Sequence, residues 1–378
     1  MTGRRPGRAV TIGLPVVLVA CLDGIAPTGT GGFAGDAAVL TYDAAFAGSG
    51  HHCLLSHGSR ARCWGSNSGG ALGDGSTQRR DQPGRVEGSH LFATLAVDAH
   101  SCGVTTNEVA FCWGGNVNGR LGDGTLQSRR IPTQVATDVR FRSVTLGGLH
   151  TCALALDDTV YCWGDNQSGQ LGGFAGDISP VPVPVAGGLR ATAIEAAGRH
   201  TCGLDEQGTV LCWGGPWGSL PRPVGDAPAF EGFSIGDDHG CGLTAEGEAW
   251  CWGANHDGRL GNGTTGPTPF DGSPVRVATD LRFAAISAGF EHTCAVATDG
   301  RGYCWGSDEV GQLGDGPAGG PDDVSATTPS PLRTDRFWQS VSAGQFLTCG
   351  VTDRFEAFCW GFGTGNPAAP NSDRPVQL

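Results

Sequence analysis

Cysteine is the residue type in this 378-residue chain most able to do chemistry, and there are 15 of them. Fourteen fall into pairs with a constant spacing of ten residues: Cys53 with Cys63, Cys102 with Cys112, Cys152 with Cys162, Cys202 with Cys212, Cys241 with Cys251, Cys294 with Cys304, and Cys349 with Cys359. A thiol pair can close a disulfide or hold a metal, and local spacing separates the two. Between Cys294 and Cys304 lies Thr298-Asp299-Gly300, which suits a three-residue hairpin loop ending in a left-handed glycine. Gly208 and Gly247 hold the same loop position in two other copies. Counting outward sets Ala297 opposite Arg301 and Cys294 opposite Cys304, in a non-hydrogen-bonded pair whose Cβ atoms lie within disulfide reach. Zinc ligation fits less well, because no Cys-x-x-Cys exists and the pairs belong to separate units. Each disulfide would contribute about 2–3 kcal/mol and implies an oxidising compartment.

A histidine stands two residues before the first cysteine of six pairs: His51, His100, His150, His200, His239 and His292, with Leu347 in the seventh. Such a ring could ligate metal. Residues i and i+2 share a strand face, so each histidine lies beside its cysteine against a neighbouring unit, and leucine serves there once. A structural hydrogen bond is the expectation. Asp74, Asp123 and Asp315, in Leu-Gly-Asp-Gly turns, could be calcium ligands or paired acids. Gly173 and Asn262 stand at the equivalent places, leaving one acid per unit at most, as turn formation requires. All 24 basic residues are arginine, which excludes lysine chemistry. No phosphate loop, nucleophile elbow, zincin helix or dinucleotide fingerprint occurs. The expectation is a protein that is no enzyme and takes no cofactor or metal. With 37 acidic residues and a net charge of −13, nucleic acid is excluded as a general partner.

The elements that position these residues repeat with them. Each second cysteine begins Cys-Trp-Gly, and successive first cysteines are 49, 50, 50, 39, 53 and 55 residues apart, a period of propellers and solenoids. In the third copy Phe141 to Leu146, His150 to Leu156 and Thr159 to Trp163 read as short strands divided by turn residues, and Pro182 to Val185 as another. Four strands per unit and seven units predict an all-β, seven-bladed propeller of four-stranded antiparallel blades over residues 39–378. The seven Cys-Trp-Gly tryptophans, with Phe111, Tyr161, Trp250, Tyr303 and Phe358 two residues before five of them, read as inter-blade core, as does Trp338. Trp217 matches no repeat position and reads as a surface aromatic on a shortened loop, a candidate for binding or equally for packing.

Ala-Gly-x-x-His-Thr-Cys-x-Leu, Cys-Trp-Gly and Asn-x-x-Gly-x-Leu-Gly-Asp-Gly-Thr together resemble the repeat of the regulator of chromosome condensation family. The loop motif is best kept at Asn116–Thr125 and Asn255–Thr264; it is truncated at Gly214–Leu220 and degenerate at Gly361–Gly365. The resemblance implies a ring whose termini share one blade. Here Arg374-Pro375-Val376-Gln377-Leu378 would then complete the first blade and remove a free edge. The family includes a eukaryotic nucleotide-exchange factor for a small GTPase and a secreted bacterial inhibitor of β-lactamases, so the fold alone does not choose a partner.

Residues 1–20 carry Arg4, Arg5 and Arg8 and then an apolar run, the pattern of a secretory signal, too short for a permanent span. Leu18-Val19-Ala20-Cys21 resembles a bacterial lipobox, which makes Cys21 the expected lipidation site and excuses the odd cysteine. Residues 21–38, rich in Gly, Thr, Ala and Pro, read as a tether. The expected protein is monomeric, exported to the cell envelope, the outer membrane or the cell surface, or secreted. It would recognise an unknown protein or cell-surface ligand through loops, with Gly263–Ser273 and Gly316–Pro329 the first candidates. The alternatives are an exchange-factor-like regulator and an enzyme working in the central channel.

Overall fold

The computed structural model of the chain describes residues 41–266, 273–316 and 325–378. The expected signal, Cys21 and the tether lie outside them, as do parts of both candidate loops. The described chain forms seven antiparallel four-stranded sheets: blades spanning residues 42–85, 92–134, 141–184, 193–223, 232–276, 283–331 and 338–377. In every blade the strands lie in chain order from the axis outward. Connections between first and second strands therefore leave at the same face as those between third and fourth. The hairpins between second and third strands emerge at the opposite face, together with the links between blades.

Composition follows this radial order. First strands such as Phe141–Leu146 bury both sides, and third strands drive the Cys-Trp-Gly indoles between blades. All seven of these tryptophans are at most 2% exposed. Sequestering an indole of roughly 200 Å² is worth about 5 kcal/mol before entropy. Outer strands end each sheet and would invite edge pairing, yet all seven resist it with proline, arginine or both: Arg80–Arg85, Arg129–Gln134, Ile178–Pro184, Arg222–Pro223, Val275–Arg276, Ser325–Pro331 and Asn371–Gln377.

The cysteines stand opposite one another in all seven hairpins, with Cα–Cα separations of 4.0–4.1 Å, and close seven disulfides, each wholly buried. In the loop at Thr298–Gly300, Ala297 and Arg301 are hydrogen-bonded and Gly300 takes a φ of +86°. Ser59, Glu108, Asp158 and Phe355 adopt the left-handed conformation at the corresponding place.

One expectation is corrected. The C-terminal strand Asn371–Gln377 pairs with Ala357–Phe362 and completes the seventh blade; the first blade has its own outer strand, Arg80–Arg85. Each Pro-x-x-Val segment ends the blade before it, through Val183 opposite Cys162 and Val376 opposite Cys359, and does not open the blade after it. Lateral contact closes the ring instead. Tyr42 N–H donates to the Phe355 carbonyl (2.9 Å), Trp64 Nε1 to the Gly363 carbonyl (3.1 Å), and Ala47 N–H to Ser342 Oγ (3.1 Å).

Candidate functional site

The histidines are spent on the seams between blades. Nε2 of His51, His100, His150, His239 and His292 lies 2.6–2.8 Å from the hydroxyl of Ser101, Thr151, Thr201, Thr293 and Thr348, each in the next blade. Those hydroxyls donate to a main-chain carbonyl of the preceding blade's loop, as Thr151 does to Arg120 (2.8 Å) and Thr348 to Gln312 (2.8 Å). A hydroxyl has one proton, so Nε2 must carry the other and donate. Four of these carbonyls also receive the next blade's indole: Trp113 Nε1 reaches Ala71 at 3.0 Å, Trp163 Arg120 at 3.0 Å, Trp213 Gln170 at 3.0 Å and Trp305 Arg259 at 2.9 Å. The next-but-one loop residue is a glycine with its backbone against that indole. At Gly122, φ is +68° and an added Cβ would sit 2.6 Å from Trp163 Nε1, so no other residue fits.

Three residues depart from this relay: Gly240 takes the hydroxyl position of blade five, the blade after His200, and the other two departures fall on one seam and match each other. Leu347 replaces the histidine of blade seven, and His52 replaces the hydroxyl residue of blade one; His52 accepts from Gly48 N–H at Nδ1 (3.3 Å) and contacts the Trp64 ring. Burial holds these imidazoles neutral. His51 and His200 are pulled down to about 4, His52, His150 and His292 to about 3, and His100 and His239 fall well below the usual value. In His51, His100, His150, His239 and His292 the Nε2 faces a hydroxyl, which is the geometry of a structural strut.

The turn aspartates also serve locally. Asp74 Oδ1 and Asp123 Oδ1 accept the main-chain N–H of Ser76 and Thr125 at 3.0 Å, and their second oxygens pair with Arg80 and Arg129. Burial alone would raise the Asp123 carboxyl, but hydrogen bonds from Thr125 and Arg129 hold it below its ordinary range. Asp315 accepts from Ser330 Oγ at 2.8 Å. The aromatics before the tryptophans are half-buried, except Phe358, which is buried, as is Trp338.

Of the two readings of Trp217, the structure takes packing. It is 3% exposed and packs with Leu204, Val224, Phe233 and Trp252, while Leu220 is 58% exposed. In the other blades a loop leucine such as Leu121 or Leu260 fills this hole against the next blade's indole. The shortened fourth loop cannot bring Leu220 inward, and the larger indole of Trp217 spans the gap from three residues earlier. It is core and not a binding aromatic.

Sequence reasoning missed the axis. Two residues from every first strand line a channel cavity of about 120 Å³. Five seams are latched there: Thr145, Glu195, Ser234, Ser287 and Ser342 accept the main-chain N–H of Ala196, Ile235, Ala288, Ala343 and Ala47 at 2.7–3.1 Å. Burial pushes the Glu195 carboxyl up to about 8, against hydrogen bonds from Ile235 and Ser234. At the channel mouth, Asp237 is raised to about 6, first by burial and then by the charges of Asp98 and Asp238. The only available signal was a polar residue in an otherwise apolar first strand.

On the mouth face two phenylalanines stay uncovered and a third is half-buried. Phe346 is 38% and Phe362 52% exposed, with Phe362 N–H donating to the Phe346 carbonyl at 2.8 Å. Phe290, half-buried, is tied to blade seven by its N–H to Gly344 (3.1 Å).

Known proteins align with this architecture. The regulator of chromosome condensation (RCC1) repeat matches residues 109–154, 157–204, 246–296 and 299–351, and a second form of the repeat matches 141–170, 231–259 and 283–312. Together they cover more than half of the chain. The ultraviolet-B receptor UVR8 of Arabidopsis thaliana is 37% identical over 81 residues, 21% of this chain and 17% of that protein. The mitochondrial RCC1 domain-containing protein RUG3 of the same plant is 34% identical over 85 residues, 22% of this chain and 19% of that protein. The chain thus matches about a fifth of the length of each. Among solved structures, Prp20p of Saccharomyces cerevisiae, described with its binding to Gsp1p and histones, superposes with a TM-score of 0.74 at 21% identity, covering 89% of this chain and 87% of that one. The CRINKLY WD40 ectodomain of the Arabidopsis thaliana receptor kinase ACR4 gives 0.55 at 20% identity, covering 90% and 99%. At these identities the likeness is one of fold.

Proposed function

The chain belongs to the regulator of chromosome condensation repeat family, and on that premise we propose that it is an exported, lipid-anchored, monomeric propeller that acts by binding, without catalysis, to a protein or cell-surface ligand through its loops. The observation that carries the reading is the stapling of every blade by a wholly buried disulfide. Paired cysteines in this number suit an oxidising compartment. A frame locked by staples, seam struts and axial latches presents loops that lose little entropy when a partner docks. Two further supports are the ectodomain standing of one structural neighbour and the description of another through the proteins it binds. The arginine-led apolar segment ending at Cys21 supplies the export and anchoring part.

The test is expression with the native N-terminus in a bacterial host. Radiolabelled palmitate should enter the chain and the label should vanish in Cys21→Ala, with the unlabelled variant released from membranes. Cross-linking on intact cells should then recover one partner. Unlabelled, cytoplasmic wild-type protein overturns the reading.

A further inference from the structure

We propose that the channel-mouth face of blades five to seven is a docking site for an arginine- or lysine-bearing apolar segment of a partner protein, an inference that rests on the binding reading above and says where and what the propeller binds. Phe346 and Phe362 adjoin through a 2.8 Å main-chain hydrogen bond, and Phe290 joins them across the seam from blade six. Two exposed aromatics side by side on a backbone tied this closely form a rigid apolar patch, which is the composition of interface hot spots.

The charge around that patch has one sign. Asp238 and Glu309 are exposed and Glu291 is half-exposed at the same strand ends. Main-chain bonds hold two of these in place: Ser307 N–H to the Glu291 carbonyl (2.9 Å) and Ala254 N–H to the Asp238 carbonyl (2.7 Å). The arginine described among them, Arg259, is 3% exposed, and its guanidinium is used on the Phe290 carbonyl (3.2 Å) and on Asp257 (2.7 Å). At the residue before the seam histidine, blades five and six carry Asp238 and Glu291, and the arginine at that place, Arg199, belongs to blade four. Asp237 at the mouth is raised first by burial and then by the charges of Asp98 and Asp238, the second of which is one of these acids. Aromatic rings beside carboxylates complement a segment that brings cationic groups on apolar stems, since those groups meet both the anions and the ring faces.

The experiment uses the oxidised chain and a fluorescein-labelled peptide alternating arginine with leucine, beside its glutamate-for-arginine counterpart, followed by fluorescence anisotropy. The arginine peptide should bind saturably, the glutamate peptide should not, and added salt should weaken binding. Phe346→Ala with Phe362→Ala should weaken it at least about tenfold. Leu156→Ala with Phe337→Ala, on the hairpin face, should leave it unchanged; circular dichroism establishes that both variants fold. Equal binding of the two peptides, no binding of either, or equal loss from the two variants overturns the site. A second arm places benzoylphenylalanine at position 362 or 156 on intact cells. Capture from 362, with the cross-link mapped to a basic segment, supports the site. Capture from 156 alone removes the site and leaves the binding reading standing, and capture from neither removes the binding reading as well.

Discussion

Acidification should unfold this propeller through its seams. Seven histidines, His51, His52, His100, His150, His200, His239 and His292, are each at most 7% exposed, and all have imidazoles held neutral by burial. In the unfolded chain each takes a proton near pH 6.5, which the native fold refuses until about pH 3 or 4 at His51, His52, His150, His200 and His292 and well below 6.5 at His100 and His239. The folded values are lowered, so the unfolded state binds more protons in that window, and stability is complete above pH 6.5 and lost as pH falls towards 4. At pH 5 each costs on the order of 2 kcal/mol, so the five with stated values together cost on the order of 10 kcal/mol, comparable with the whole stability of a typical domain. His150→Gln keeps a donor for Thr201 without a titrating ring and should recover about 2 kcal/mol of the loss at pH 5. Guanidinium unfolding followed by tryptophan fluorescence at pH 7, 6 and 5 reads both effects. A flat midpoint from pH 7 to 5, or NMR signals of these seven histidines titrating near 6.5 in the folded protein, would refute the strut assignment.

Other substitutions probe the remaining joints. Gly122→Ala puts a methyl group against Trp163 at φ +68° and should cost more than about 2 kcal/mol by chemical denaturation; a neutral result removes the close-approach argument. Trp217→Ala should cost about 3–5 kcal/mol and Leu220→Ala less than about 0.5, whereas a surface role for Trp217 predicts the reverse order. Glu195→Gln keeps the acceptor for Ile235 N–H and removes a carboxyl whose folded value is raised to about 8. Wild-type stability should therefore fall relative to the variant as pH rises from 5 towards 8, and a parallel pair of pH profiles would contradict that.

Much of this was legible because the repeat states it seven times. The constant ten-residue spacing set the cysteines opposite one another, and the Cys-Trp-Gly motif named the indoles that fill the seams. What a periodic sequence does not carry is its phase: Pro-x-x-Val can end one unit or open the next, and only strand pairing assigns Val376 to Cys359. Trp217 was obscured by a deletion, since motif alignment favours Leu220 by residue type while burial depends on loop length. The latches at Thr145, Glu195, Ser234, Ser287 and Ser342 share no residue type, because any side-chain oxygen can accept the neighbouring N–H. The Phe346–Phe362 patch escaped because it joins two loop ends that lie far apart in the motif and touch only in the folded blade.

The central claim is a ring stapled in an oxidising compartment so that rigid loops can bind. Its most direct test is the thiol state of the natively exported chain, denatured without reductant, alkylated and mapped by mass spectrometry. The account predicts that all fourteen repeat cysteines resist alkylation until reduced, and that each first cysteine is linked to the one ten residues on. Alkylation of most of them before reduction would contradict the staples, the compartment and the rigid binding ring together.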